Sequence, residues 1–534
     1  MGLAKKVVQL ASSRKTGMPA EAFALLSTPI DDLLASGGDQ RLVISPSSGQ
    51  NMYGCTPYPR PELIDFASST ASSISSEAHA HVLKSHADYL VRVISNGAAS
   101  AFETSIFDTR QMLLELLGLK DIGAEILFAA SGTDAQLNTL FIVKNLLGLP
   151  LTTIVAGADQ TGSGTAFTSR GRHFSHVTSG GHTVEKDRPI DGLAEGVDCI
   201  NVPFRGANGF RTEAEMDAAV TEAVEAAIGR GSKILLQTMD SSKFGWRAPS
   251  DSCIDRLIQR WPDHLQIVVD ACQMRLDQDR IRNFLLKGFM VLITGSKFFT
   301  GPAFSGAVIV PGMFSGRINS ICQVPPGLSA YTSAYDWPEK WEALRSRFPA
   351  RANPGQWLRW EASIEEMRMY YAIPPADREN IRAKLAGQIR QLVEASPCLR
   401  HLQQDASGRT PDRGVTMFPI LPYKDGAPLS PDKCALLYKA LRGNLAGLNP
   451  AATQDTDSRV AHLPCQAGQP VFLSEKEGAA LRVSISARTI RQCWSPDPGI
   501  AAENLRRAIG DIGSLIEKIN FVVRNIEIIV AKQP

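Results

Sequence analysis

The stretch LQIVVDACQMR, residues 265 to 275, begins with an apolar run and ends with polar side chains. Its consecutive Ile267, Val268 and Val269 are typical of a strand buried on both faces of a sheet. Asp270 follows directly, and Gln273 lies three residues further on. A carboxylate at the end of a buried strand is unfavourable unless a cation or a hydrogen-bond donor meets it. We therefore expect Asp270 to hold a cationic or hydrogen-bonding partner.

The sequence around this stretch alternates between strand-like and helix-like segments from residue 61 to about residue 310. Apolar runs such as EILFAAS (125–131), SKILLQTMD (232–240) and FMVLITGS (289–296) predict strands, and longer amphipathic stretches between them predict helices. This alternation predicts an α/β fold with a mostly parallel sheet covered by helices on both faces.

The composition changes beyond about residue 325, where two long helical patterns precede further strand patterns. We therefore predict an N-terminal segment (1–60), a large α/β domain (61–325) and a smaller C-terminal α+β domain with connecting helices (326–534).

The overall composition is that of an ordinary globular protein and excludes several function classes. The 534 residues include 56 basic and 54 acidic ones, so the net charge of +2 does not favour a nucleic acid or an anionic membrane as partner. The nine cysteines have irregular spacings that predict neither a disulfide framework nor a metal site. The chain has no membrane-length apolar stretch, and its N-terminal apolar run is too short for a secretory signal. We expect a cytoplasmic protein.

Two strand ends carry polar groups that suit a phosphate and an aldehyde. Ser131, Gly132 and Thr133 lie between a predicted strand and a predicted helix, where free backbone N–H groups and hydroxyls can bind an anion. An ordinary helix cap at Thr133 or Asp134 explains this turn equally well. Lys297 lies in a turn rich in glycine and hydroxyls, ITGSKFFTGPAFSG (293–306), which favours a lowered pKa and Schiff-base chemistry.

A single ligand would satisfy these strand ends together with Asp270. It would carry a phosphate, an aldehyde for Lys297 and a cationic ring nitrogen for Asp270. Pyridoxal 5'-phosphate has all three groups, and a lysine Schiff base with an acidic partner to the pyridinium nitrogen is its usual requirement.

Four motifs, in order along the chain, resemble those of the fold-type-I pyridoxal-phosphate enzymes, in particular the class V aminotransferase and cysteine desulfurase branch. ASGTDA is similar to the phosphate-binding S-G-x-T-E-x turn, and SSKFGWRAP keeps the spacing of N-E-x-G-x-x-x-P. VVDACQ resembles V-D-A-x-Q, and TGSKFFTGP resembles S-x-H-K-x-x-G-P. The resemblance covers roughly residues 61 to 490.

The resemblance implies a role for each matching residue. Lys297 would form the internal aldimine and act as general base, and Asp270 would be the pyridinium partner. Gln160 is the nearest match to the residue that stacks on the ring, although the family has an aromatic residue or histidine there. Ser242 replaces the family's Asn, and Ser296 replaces a common His. The implied cofactor contacts are Ser131, Gly132, Thr133, Gln160, Ser242, Asp270, Gln273, Thr294, Ser296 and Lys297.

The C-terminal part supplies two further candidates by resemblance. AALRVSISAR (479–488) resembles the family's R-x-S strand, which implies that Arg482 binds the α-carboxylate of the substrate. HLPCQAGQP (462–470) is similar to the group II desulfurase segment, so Cys465 is a candidate sulfur nucleophile. An inert buried cysteine is the alternative.

The sequence leaves three hypotheses for the function. The first is a transaminase acting on a small-molecule substrate, an amino acid or a related amine, since it needs no group beyond those above. The second is a carbon–sulfur lyase or cysteine desulfurase that uses Cys465. The third is a non-catalytic α/β protein that binds a phosphate ligand, which would leave Asp270 and Lys297 unexplained. The resemblance also implies a homodimer.

Overall fold

The computed structural model describes residues 27–207, 209–402, 414–446 and 455–531. The strands are β1 (Ile64–Phe66), β2 (Glu125–Ala129), β3 (Leu151–Ala156), β4 (Val197–Val202), β5 (Arg205–Gly206), β6 (Gly209–Phe210), β7 (Lys233–Met239), β8 (Leu265–Asp270), β9 (Met290–Thr294), β10 (Gly306–Val310), β11 (Leu399–His401), β12 (Met417–Lys424), β13 (Ala427–Pro428), β14 (Cys465–Ser474) and β15 (Gly478–Ser484).

The helices, in chain order, are α1 (Ile30–Leu34), α2 (Ser76–Asn96), α3 (Ala98–Leu116), α4 (Gly132–Leu147), α5 (Thr165–Thr168), α6 (Glu213–Gly229), α7 (Asp251–Arg260), α8 (Gln278–Leu286), α9 (Ser315–Asn319), α10 (Glu342–Arg345), α11 (Pro354–Tyr371), α12 (Pro375–Glu394), α13 (Pro431–Ala440), α14 (Asp455–His462), α15 (Ala487–Cys493), α16 (Pro498–Arg524) and α17 (Ile526–Ala531). None of these helices is both long enough and apolar enough to cross a membrane.

The large sheet has seven strands in the order β2-β10-β9-β8-β7-β3-β4. Strand β10 is antiparallel to both of its neighbours, whereas the other pairs in the sheet are parallel. Consequently the carboxyl ends of β2, β3, β7, β8 and β9 all lie along the same side of the sheet. The register places Met239, the last residue of β7, opposite Asp270, the last residue of β8.

Strands β2, β8, β9 and β10 are buried on both faces, which explains why they are almost continuously apolar, whereas the edge strand β4 is partly exposed. In β8, Ile267 and Val269 pack into one hydrophobic cluster, together with residues of α6, α7 and α8. The alternate residue Val268 packs into a second cluster with residues of α4. A strand that contacts helices on both faces cannot alternate apolar and polar residues. The predicted mostly parallel sheet with helices on both faces is therefore confirmed.

The second sheet has the order β1-β14-β15-β12-β11, with β13 paired to β12. Its strands come from both parts of the chain, since β1 runs parallel to β14 and pairs Ile64 with Cys465. The other pairs in this sheet are antiparallel. The division of the chain into domains at residues 60 and 325 stays a prediction, although most of this sheet comes from the C-terminal part.

Candidate active site

The carboxyl ends of β2, β3, β7, β8 and β9 open into one cavity of about 250 Å³. Residues from β15 of the second sheet and from the segment before β1 complete its wall. Ten of the residues predicted from the sequence line this cavity: Ser131, Gly132, Thr133, Gln160, Asp270, Gln273, Thr294, Ser296, Lys297 and Arg482. Positions up to 351 residues apart in the sequence are thus brought to one place (482 − 131).

Asp270 is buried at the end of β8, with both carboxylate oxygens positioned by the protein. The backbone N–H of Cys272 donates a hydrogen bond to Oδ1 (3.1 Å), and the side-chain amide of Gln237 donates a longer one to Oδ2 (3.4 Å). Both donors are neutral, so among the described residues no cation forms an ion pair with this carboxylate at hydrogen-bond distance. Asp270 can therefore receive a cationic group from the cavity.

Lys297 follows β9 and is partly buried in the cavity wall. Burial lowers the pKa of its amine. The positive charges of Arg482 and Arg275 lower this pKa as well, whereas the negative charge of Asp270 raises it. The loop after it is unusually constrained, because Thr300 and Phe304 adopt left-handed backbone conformations with φ of 56° and 74°. Residues other than glycine rarely adopt the left-handed backbone conformation, and those that do are enriched at functional sites.

The turn at the start of α4 is a capped helix N-terminus. The Ser131 hydroxyl accepts hydrogen bonds from the backbone N–H groups of Thr133 and Asp134, both at 3.2 Å. The neighbouring side chains are so close that a Cβ on Gly132 would lie 2.8 Å from the Cys272 sulfur and 3.3 Å from the Thr294 methyl carbon. Ser131 and Thr133 also face the cavity. The helix cap and the proposed anion site thus use the same residues.

Arg41 is a cavity residue that the sequence did not reveal, and it lies at this same turn. Its guanidinium forms an ion pair with Asp39 (2.6 Å) and lies 3.4 Å from the Ser131 hydroxyl and 3.5 Å from that of Thr133. The ring of Phe304 lies beneath it, 4.8 Å from the guanidinium carbon to the ring centre. A fixed guanidinium beside two hydroxyls at a helix N-terminus suits a phosphate.

Gln160, the nearest sequence match to the ring-stacking residue, is held in place by the strand end beside it. The Ser242 hydroxyl donates a hydrogen bond to Gln160 Oε1 (2.5 Å), and the backbone N–H of Phe244 donates to the same oxygen (3.3 Å). The other end of the amide, Nε2, is buried without a hydrogen-bond partner among the described residues. Ser242 does not line the cavity, so it acts on the site through Gln160.

Arg482 lies on β15 and has no acidic partner within reach among the described residues. Its guanidinium donates to the carbonyl oxygens of Gln469 (3.0 Å) and Ser69 (3.2 Å) and to the Thr70 hydroxyl (2.9 Å). Burial lowers its pKa to about 10. Gln273 donates to the same Ser69 carbonyl (3.1 Å), which links the end of β8 to the second sheet.

Lys243 is another cavity residue that the sequence patterns did not indicate. It follows β7, is partly buried and lines the cavity with Lys297 and Arg482. Burial, together with the smaller effect of the positive charges of Arg482 and Lys297, lowers the pKa of Lys243 to about 8. The quoted pattern N-E-x-G-x-x-x-P has Glu at this position, so the reversed charge could have identified this lysine in the sequence.

Cys465 is not brought to the cavity. It begins β14, is fully buried and pairs with Ile64 in the second sheet. Burial raises the pKa of its thiol to about 12, so the thiol is held in its protonated, unreactive form. The cysteine that lines the cavity is Cys272, whose pKa is also raised by burial and by the charge of Asp270.

No protein-family model matches the chain, and no curated protein is similar to it in sequence. Solved structures do share its fold. The cysteine desulfurase CsdA of Escherichia coli superposes with a TM-score of 0.50 at 12% identity, over 87% of this chain and 95% of that one.

Two further structures give lower scores. The first is a NifS-like protein, with a TM-score of 0.48 at 11% identity over 84% of this chain and 98% of that one. The second is a mutant of C-DES with glycine covalently linked to its pyridoxal-phosphate cofactor, with a TM-score of 0.47 at 13% identity over 84% of this chain and 97% of that one. The superposition on CsdA shows that the chain has the fold of that cysteine desulfurase, so the predicted resemblance is confirmed at the level of the fold.

Proposed function

We propose that this protein is a pyridoxal-phosphate-dependent enzyme that acts on an amino acid, and that it is an aminotransferase. The observation that carries the proposal is one cavity that holds Lys297 and Asp270 together with Arg482, which is distant from both in the sequence. A phosphate-binding protein without catalysis would need none of them. The fold shared with CsdA is consistent with the proposal.

The residues of the cavity fit the cofactor. Asp270 lacks a cationic partner at hydrogen-bond distance among the described residues, which suits a protonated ring nitrogen. The buried Nε2 of Gln160, which has no hydrogen-bond partner among the described residues, offers a donor in the same cavity. Ser131, Thr133 and Arg41 would hold the phosphate, and Lys297 would hold the aldehyde.

When bound, pyridoxal phosphate withdraws electrons from the α-carbon of an amino acid. The protein supplies binding and proton transfer. Arg482 would bind the α-carboxylate through its planar guanidinium, which the surrounding carbonyl groups hold in one orientation. The amine of Lys297, whose pKa burial lowers, would take the proton from the substrate Cα.

The alternative is a cysteine desulfurase or another carbon–sulfur lyase. It requires a thiolate that reaches the substrate sulfur, and Cys465 lies outside the cavity with a raised pKa. This geometry favours the aminotransferase. The homodimer implied by the resemblance stays a prediction that light scattering can test.

The test begins with the cofactor. The protein incubated with pyridoxal phosphate should gain an absorbance band that borohydride bleaches, and the adduct should be found on the Lys297 peptide by mass spectrometry. Lys297→Ala should not form the covalent adduct. A protein that stays colourless would refute the proposal. Transfer of ¹⁵N from an amino acid to a 2-keto acid would then identify the aminotransferase, whereas sulfide release from cysteine would identify the desulfurase.

A further inference from the structure

The charged groups that line the cavity are mostly positive. They are the cations Arg41, Lys243, Lys297 and Arg482 and the single carboxylate of Asp270. Three of these five have a partner in the protein or in the cofactor of the proposed function. Arg41 pairs with Asp39 and faces the phosphate turn, while Lys297 and Asp270 face the aldehyde and the ring nitrogen under the proposed function. Arg482 and Lys243 remain.

Neither of these two cations is neutralised by the described part of the protein. Arg482 contacts two carbonyl oxygens and a hydroxyl, and Lys243 has no ion pair or hydrogen bond there. The acidic group whose charge reaches Lys243 is Asp159. Its two oxygens already accept hydrogen bonds from the backbone N–H groups of Phe204 (2.7 Å) and Arg205 (3.0 Å).

The amines and guanidinium are also close enough to repel one another. The charges of Arg482 and Lys297 both lower the pKa of Lys243. Partly buried like charges are unfavourable without a counter-ion, and two such cations on one cavity wall call for two anionic groups. A monocarboxylate would neutralise only Arg482.

We infer that the substrate is an amino acid with a second anionic group, which Lys243 binds while Arg482 binds the α-carboxylate. The second group is a carboxylate or a phosphate, since an ammonium binds either. Lys243 follows β7 of the large sheet and Arg482 lies on β15 of the second sheet, so the substrate would be held from both sheets. This inference rests on the proposed function.

The test measures binding to the cofactor-loaded protein with three carboxylates that have no amine and cannot react. Succinate and 3-phosphonopropionate carry a second anionic group, and butyrate does not. Calorimetric titration at pH 7 should show that at least one dianion binds roughly tenfold or more tightly than butyrate, because a charge-assisted hydrogen bond is added. Which dianion binds tightly distinguishes a carboxylate from a phosphate as the second group.

Lys243→Met should bind the dianion and butyrate about equally, whereas Lys243→Arg should keep much of the preference for the dianion. Lys287→Met is the matched control, because Lys287 pairs with Asp255 on the exposed surface (2.7 Å). The cofactor absorbance band reports that each variant is folded and loaded.

Two results would overturn the inference while the proposed function stands: equal binding of all three probes to the loaded protein, or a preference for dianions that persists in Lys243→Met. Absence of the absorbance band from the wild-type protein would instead overturn the proposed function, and this inference with it.

Discussion

The side-chain amide of Gln237 on β7 donates a hydrogen bond to the carboxylate of Asp270 on β8, with 3.4 Å between Nε2 and Oδ2. The backbone N–H of Cys272 holds the other oxygen, Oδ1, at 3.1 Å. The carboxylate is thus positioned from its own strand end and from the neighbouring strand. Neither neutral donor cancels its charge, which stays available to a cation in the cavity.

The first prediction concerns this charge. Asp270→Asn keeps the size of the side chain but removes the negative charge that would stabilise a protonated ring nitrogen, and its amide nitrogen cannot accept one of the two hydrogen bonds that the carboxylate accepts. We expect a folded protein that still binds pyridoxal phosphate but is at least about a hundredfold less active, as measured by kcat in the ¹⁵N-transfer assay. Asp255→Asn, on the exposed surface, is the control. Near-normal turnover by Asp270→Asn would mean that this carboxylate has only a structural role.

A second prediction concerns Arg41. Removing a guanidinium that faces the phosphate should weaken pyridoxal phosphate binding by roughly tenfold or more, whereas pyridoxal, which has no phosphate, should bind as before. Arg41→Met and equilibrium dialysis with the two ligands test this. Loss of affinity for both ligands alike would contradict a phosphate contact.

This experiment needs a second variant, because Arg41→Met leaves the buried Asp39 carboxylate without its partner. The double variant Asp39→Asn/Arg41→Met removes that charge as well. If Arg41 contacts the phosphate, the double variant should still have a low affinity for pyridoxal phosphate. Full recovery of affinity would show that the unpaired Asp39 caused the loss.

The third prediction separates aminotransferase from desulfurase. Cys465 is fully buried, so Cys465→Ser places a hydroxyl in an apolar site and should lower the free energy of unfolding by about 1–3 kcal/mol. Activity per folded molecule should be nearly unchanged, because the thiol lies outside the cavity. Cys465→Ala provides a variant without the buried hydroxyl.

A persulfide on Cys465 would contradict this prediction. If cysteine leaves a persulfide on Cys465 of the wild-type protein, detected by mass spectrometry, and both variants stop releasing sulfide, then the segment must move to expose the thiol. The desulfurase hypothesis would then replace the aminotransferase.

The strand ends could be predicted from the sequence because a buried parallel strand leaves a clear pattern. An apolar run followed at once by a polar residue, as in VVDACQ, marks the edge of the sheet where ligands bind. The residue types at these ends then indicate the chemistry. This pattern predicts Lys297, Asp270 and the Ser131 turn as site residues, and all three line one cavity.

Other parts of the site depend on contacts that no local pattern contains. Arg41 belongs to an irregular segment, and its position depends on an ion pair with Asp39 and packing against Phe304. The burial of Cys465 follows from the pairing of β14 with β1, about 400 residues away in the sequence (465 − 64). Such pairings become visible only when the chain is folded.

The last prediction concerns pH and Lys243. Its pKa of about 8 means that the amine is mostly charged at pH 7 and mostly neutral at pH 9.5. Only the charged amine attracts the second anionic group, so the preference for a dianion over butyrate should be present below pH 8 and fall by up to about tenfold per pH unit above it.

Butyrate corrects this measurement for the other groups that face Lys243, since Arg482, Lys297 and Asp159 affect both ligands. The decisive comparison is Lys243→Arg, because a guanidinium keeps its charge over this range and its preference should stay nearly constant from pH 6.5 to about 9.5. Calorimetric titrations across that range give the two profiles. A flat wild-type profile would show that no group titrating in this range binds the second anionic group, and equally steep profiles for both proteins would show that a titrating group other than Lys243 binds it.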